Sequence, residues 1–105
     1  MEMRTLDKSE DVLQAIHESR KDNATELNLS YKKLTDLPSE IGKLTNLKEL
    51  YIHNNRLLSL PSEIGKLTNL QILWVGNNHL TSLPAEIGKL TNLTVLRLNN
   101  NNLTE

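Results

Sequence analysis

The chain has 105 residues, with 12 basic and 13 acidic side chains and a net charge of −1. Because the two signs are interspersed, it lacks the basic stripe that a phosphate backbone requires, and nucleic acid is excluded as an expected partner. There is no cysteine, which excludes disulfides and thiolate metal sites and fits a reducing compartment. Residues Met1 to Asp11 contain no apolar h-region, and no apolar run reaches membrane-spanning length, so the expected location is cytoplasmic, with no membrane partner. Only 3% of residues are aromatic and none is Phe. The core must therefore be aliphatic, and Tyr31, Tyr51 and Trp74 are not needed to fill it.

Leu6 to Arg20 reads as a helix. Asp7 with Glu10 three residues on forms a capping box, and Val12, Leu13 and Ile16 make a narrow apolar stripe with Ala15 beside it. The helix is expected to end near Asp22 and Asn23. A short amphipathic helix directly ahead of a repeat array covers the open end of its core, so residues 1–23 are assigned to an N-terminal helical cap.

Residues 24–105 are assigned to the repeats. Ala24 to Leu34 is a first, degenerate turn in which Leu27 and Leu29 alternate with Glu26, Asn28 and Ser30, the period of a half-buried strand. Leu34 to Arg56, Leu57 to His79 and Leu80 to Asn102 then repeat one 23-residue frame, LxxLPxEIGKLTNLxxLxxxNNx. The alternation returns as Leu50 with Ile52, Leu73 with Val75, and Leu96 with Leu98. Strands joined by crossovers of constant length run parallel, about 4.8 Å apart. About four strands in one curved parallel sheet are expected.

The return path between strands is LPSEIGKLTNL, or LPAEIGKLTNL in the last copy. Pro38, Pro61 and Pro84 suit the first position of a short helical turn, and Gly42, Gly65 and Gly88 are expected to close it with positive φ. Ile41, Leu44 and Leu47 point inward, while Glu40 and Lys43 form a solvated outer face. Asn55, Asn78 and Asn101 follow each strand at a fixed offset, where an amide can satisfy backbone groups left open as the chain turns, so a buried ladder is expected. Lys32 takes that column in the first turn and marks an exposed or frayed end of the ladder.

Leu47-Lys-Glu-Leu50-Tyr-Ile52-His-Asn-Asn55-Arg-Leu57, met twice again, resembles the leucine-rich repeat signature, and LPxEIGxLTNL resembles its typical 23-residue class. The similarity extends to repeats of bacterial leucine-rich proteins, to those of Roco-type GTPases, and to the plant intracellular Ras-group-related group. It covers Ala24 to Thr104. The resemblance implies an α/β solenoid with a parallel sheet on the concave side and short helical turns on the convex side. It also implies a role in protein recognition, with the inner sheet face as the usual contact surface.

The copies disagree in all three repeats at six columns: Lys48/Gln71/Thr94, Glu49/Ile72/Val95, Tyr51/Trp74/Arg97, Ile52/Val75/Leu98, His53/Gly76/Asn99 and Arg56/His79/Asn102. Only the Ile52 column is an inward aliphatic exchange. Strand alternation puts Glu49, Tyr51 and His53, with their equivalents, on the face opposite the core, whereas the exposed convex stretch barely changes. Tyr31, Glu49, Tyr51, His53, Ile72, Trp74, Val95, Arg97 and Asn99 are therefore the candidate partner-binding residues. A Trp and a Tyr beside an Arg is the composition of binding hot spots, and Gly76 is expected to leave room beside Trp74.

Glu26 and Glu49 are expected to be neighbours on an open sheet, which makes them a solvated pair rather than a general acid. His53 and His79 have no third ligand, and no P-loop, nucleophile elbow or HExxH is present, so neither catalysis nor any metal or cofactor is expected. After Leu103 the frame stops short of its next return. That leaves Leu93, Leu96, Leu98 and Leu103 as a possible edge for a homodimer, for another protein, or for further repeats of a longer array. The sequence thus predicts a non-catalytic module that binds another protein. The alternatives are the recognition arm of a multidomain enzyme such as a Roco-type GTPase, or a glycan-binding module.

Overall fold

A computed structural model describes residues 8–104, with side chains from Asp11 onward. The capping box expected at Asp7 and Glu10 lies outside these residues. Helix α1 spans Lys8–Lys21 and sends Val12 and Ile16 into the core, where each is 1% exposed; Leu13 and Ala15 are half-buried. The helix stops at a left-handed residue, Asn23, with φ of 52°. The Ala24 amide then donates to the Ser19 carbonyl and the Asn23 amide to the Arg20 carbonyl, the paired bonds of a Schellman motif that satisfy carbonyls the helix leaves open.

Four three-residue strands follow, β1 Glu26–Asn28, β2 Glu49–Tyr51, β3 Ile72–Trp74 and β4 Val95–Arg97. They form one parallel sheet in chain order, and every pairing is offset by one repeat: Leu27, Leu50, Leu73 and Leu96 are register partners, as are Asn28, Tyr51, Trp74 and Arg97. Parallel pairing is the only arrangement that lets a constant 23-residue return restore each leucine to its own row. Leu50, Ile52, Leu57, Leu70, Leu73, Val75 and Leu80 are fully buried. Along the last turn, Leu93, Leu98 and Leu103 are partly buried and Leu96 is 39% exposed.

The returns are 3₁₀ turns at Ser39–Lys43, Ser62–Lys66 and Ala85–Lys89. Pro38, Pro61 and Pro84 stand one residue before them in extended conformation, at the cap and not at the first helical position. The glycines also differ from expectation, since none has positive φ. Two of them are required for a different reason. A Cβ on Gly42 would lie 2.9 Å from Glu63 Cβ and 3.0 Å from the Glu63 carbonyl oxygen, and one on Gly65 would lie 2.8 and 2.9 Å from the same atoms of Glu86. These glycines let one 3₁₀ turn pack directly on the next. Among the described residues, no atom lies within 4 Å of the would-be Cβ of Gly88.

The asparagine ladder holds the opposite edge. Asn78 Oδ1 accepts from the Leu57 amide at 3.0 Å, and its Nδ2 donates to the carbonyls of Ile52, Val75 and Gly76. Asn55 accepts from the amides of both Lys32 and Leu34 and donates to Leu29, Ile52 and His53. Asn101 repeats the pattern on Leu80, Val75, Leu98 and Asn99. Lys32 itself is exposed, but Asn55 ties down its amide, so the first turn is joined to the ladder through its backbone.

Candidate functional site

The strand register alone builds the site. Because side chains alternate along each short strand, the buried Leu50 and Leu73 are flanked by half-buried Glu49, Tyr51, Ile72 and Trp74 on the concave face. Val95 is half-buried and Arg97 exposed on β4. The register places Tyr51 beside Trp74 and Trp74 beside Arg97.

The aromatic side chains meet edge to face. Tyr51 and Trp74 have ring centroids 5.2 Å apart at 88°, and His53 sits 5.4 Å from Trp74, 6.4 Å from Tyr51 and 5.7 Å from Tyr31. The Tyr51–Trp74 pair contributes about 0.5–1.5 kcal/mol beyond the area it buries. Arg97 completes the cluster with its Cζ 4.8 Å from the Trp74 ring centroid, a cation resting on an indole face. Tyr31 is 72% exposed and has φ of 58°, in the column where Asn54, Asn77 and Asn100 take φ of 56° to 58°. Asparagine visits that region readily and tyrosine does so at a cost of about 1–2 kcal/mol, so the backbone holds this ring at the border of the cluster despite an unfavoured conformation.

Glu49 is the cluster's acidic corner. The Tyr51 hydroxyl donates to Glu49 Oε1 at 2.8 Å, and Glu26 is the register partner of Glu49. That hydrogen bond raises the Tyr51 pKa above the ordinary 10.0, helped by partial desolvation and by the charges of Glu49 and Glu26. A folded-state pKa above the unfolded one means stability that is complete below pH 10 and lost as pH climbs through the folded value. Ultraviolet titration of a Tyr31→Phe variant isolates Tyr51, and adding Glu49→Gln is expected to move its midpoint down. An unmoved midpoint would contradict the assigned cause.

Beside the rings, a recess of about 180 Å³ is lined by His53, Asn54, Trp74, Gly76, Asn77, Arg97 and Asn99. The space expected beside Gly76 is partly taken, because a Cβ there would meet the Asn99 amide oxygen at 2.7 Å. Asn54 and Asn77 are site residues that the repeat comparison passes over, since they do not vary. Their signal is the doubled Asn: the second amide enters the buried ladder, while the first adopts the left-handed turn. The first amides link one another across repeats, Asn100 donating to Asn77 at 2.8 Å and Asn77 to Asn54 at 3.5 Å.

Among the described residues, no group of three or more His, Asp or Glu is placed to hold a metal ion, and no helix is long and apolar enough to cross a membrane.

A family model for a leucine-rich repeat region matches residues 26–105. A solved leucine-rich repeat protein of Leptospira interrogans is similar, with 55% identity and a TM-score of 0.74 over 74% of this chain and 20% of that one. The leucine-rich repeat domain of a Shigella effector is 23% identical with a TM-score of 0.64, covering 79% of this chain and 36% of its own. That of APL1B is 24% identical with a TM-score of 0.70, covering 98% and 30%. The last two share the fold. The chain thus spans between about a fifth and a little over a third of these structures. No curated protein matches it.

Proposed function

The chain belongs to the leucine-rich repeat family, whose solenoids commonly mediate protein–protein interaction, and on that premise we propose that it binds another protein through the concave face of its sheet. Trp74 and Tyr51 are the anchors, and Arg97, His53 and Glu49 supply polar selectivity. The observation that carries this reading is the ring cluster itself. A core built from aliphatic side chains has no use for it, yet Tyr51, His53 and Trp74 remain half-buried on an open sheet face. Removing such anchors from an interface costs about 2 kcal/mol or more each, whereas their cross-strand contribution to folding is only about 0.2–1 kcal/mol.

Protein is favoured over glycan by the ring geometry. A sugar stacks on an open ring face, but Arg97 lies over one face of Trp74 and the Tyr51 and His53 rings pack against the indole at steep angles. The reading assigns the chain no catalytic role.

The test is affinity capture with the chain and with a Tyr51→Ala, Trp74→Ala double variant, circular dichroism serving as the folding control. We expect the double variant to lose at least one partner by tenfold or more. Retention of every partner by a folded double variant would overturn the reading.

A further inference from the structure

We propose that the recess beside Trp74 is a carboxylate pocket, the point at which the bound protein inserts an acidic group. The proposal rests on the concave-face reading and specifies the chemistry of the partner. The recess holds about 180 Å³, room for a carboxylate and the carbon that bears it. Two of its lining residues carry a polar atom that is shielded from solvent and has no hydrogen-bond partner among the described residues, Trp74 Nε1 and His53 Nδ1. The indole N–H can only donate, so what it lacks is an acceptor. Imidazole Nδ1 becomes a second donor in the tautomer that carries its hydrogen there.

Arg97 gives the pocket its sign. Its guanidinium rests on the indole, and the acids of the concave face, Glu26 and Glu49, stand on β1 and β2. Glu49 is two strands across and two residues along from Arg97, about 12 Å at strand spacing and beyond the screening length of physiological salt. Among the described residues, Arg97 is thus left without an acid in ion-pair reach on its own face. A carboxylate has two oxygens and lone pairs enough to accept from the guanidinium and the Asn99 amide together, in the charge-assisted bonds that are stronger than neutral ones, and to accept from the indole N–H once side-chain movement uncovers it. A neutral amide in the same place leaves the cation unpaired.

The chain has one tryptophan, so a ¹⁵N-labelled sample gives a single indole N–H resonance, which reports on this site alone. Three probes are titrated up to about 0.1 M, the range of single-contact affinities: N-acetylglutamate N-methylamide, which offers a side-chain carboxylate; N-acetylleucine, which offers a terminal one; and neutral N-acetylglutamine N-methylamide. We expect a saturable shift with at least one carboxylate and at least tenfold weaker binding of the neutral probe. The carboxylate that responds identifies whether an acidic side chain or a chain terminus is the source. Arg97→Gln is expected to weaken the carboxylate response about tenfold, with the amide spectrum otherwise intact, and Asn99→Ala to weaken it less.

No response to either carboxylate, equal response to the neutral probe, or a response unchanged by Arg97→Gln would overturn the proposal. The two readings fail separately. A partner lost by Trp74→Ala but retained by Arg97→Gln leaves concave-face binding standing and removes the carboxylate pocket.

Discussion

Replacing Asn78 with Leu is expected to lower the free energy of unfolding by about 3 kcal/mol, read from the midpoint of a urea titration. Leucine nearly matches asparagine in shape, so the substitution removes hydrogen bonds without opening a cavity. The loss is unequal among the four backbone groups that Asn78 serves. The carbonyls of Ile52, Val75 and Gly76 each keep another donor, from Asn55, Asn101 and the Asn54 amide. The Leu57 amide, whose acceptor is Asn78 Oδ1, is left with none, and an orphaned buried donor costs about 1–3 kcal/mol by itself. Asn55→Leu is expected to cost at least as much, because two amides depend on its oxygen. Asn101→Leu should cost less, since Asn101 is only half-buried and water replaces part of what is lost. Equal effects at all three positions would show that the ladder is not what holds this edge.

The glycines of the 3₁₀ turns give a second result, in which the sign changes along the chain. Gly65→Ala is expected to destabilise by about 1–3 kcal/mol, the usual cost of overpacking, because its new methyl group meets Glu86 Cβ and the Glu86 carbonyl oxygen below 3.0 Å. One of those atoms is backbone and cannot step aside without moving the next turn. Gly88→Ala meets nothing, and its backbone has no positive φ to forbid a side chain. There the main effect is to restrict the unfolded chain, a gain of about 0.4–1 kcal/mol. The same substitution in the same repeat column thus destabilises at one copy and stabilises at another. A uniform loss at both positions would return the explanation to backbone conformation.

The parallel sheet and its register were legible in the sequence because a fixed 23-residue period admits only one way to keep Leu27, Leu50, Leu73 and Leu96 in a row. The inward and outward columns followed from alternation, and the buried Asn55 and Asn78 from their offset after each strand. What the period concealed was the reason for its own invariants. A glycine kept in every copy signals either a left-handed backbone or a close approach, and only the distance from Gly65 to Glu86 decides between them. The doubled Asn concealed two roles in one dipeptide, a turn residue followed by a ladder residue. At the site, sequence brought Tyr51, Trp74 and Arg97 into one row, but not the edge-on meeting of the rings, the seat of Arg97 on the indole, or the Asn99 amide over Gly76. Those depend on rotamers set by packing between neighbouring strands, which no single repeat encodes.

The central claim is that the partner lies against the concave sheet. It is tested most directly by placing a photoreactive amino acid at Ile72, on the concave face beside Trp74, or at Lys66, on the convex 3₁₀ turn, and irradiating each in the presence of the captured partner. Ile72 is half-buried and Lys66 exposed, so neither position is expected to disturb the fold. The account predicts a covalent adduct from position 72 and none from position 66. An adduct from position 66 alone would contradict it.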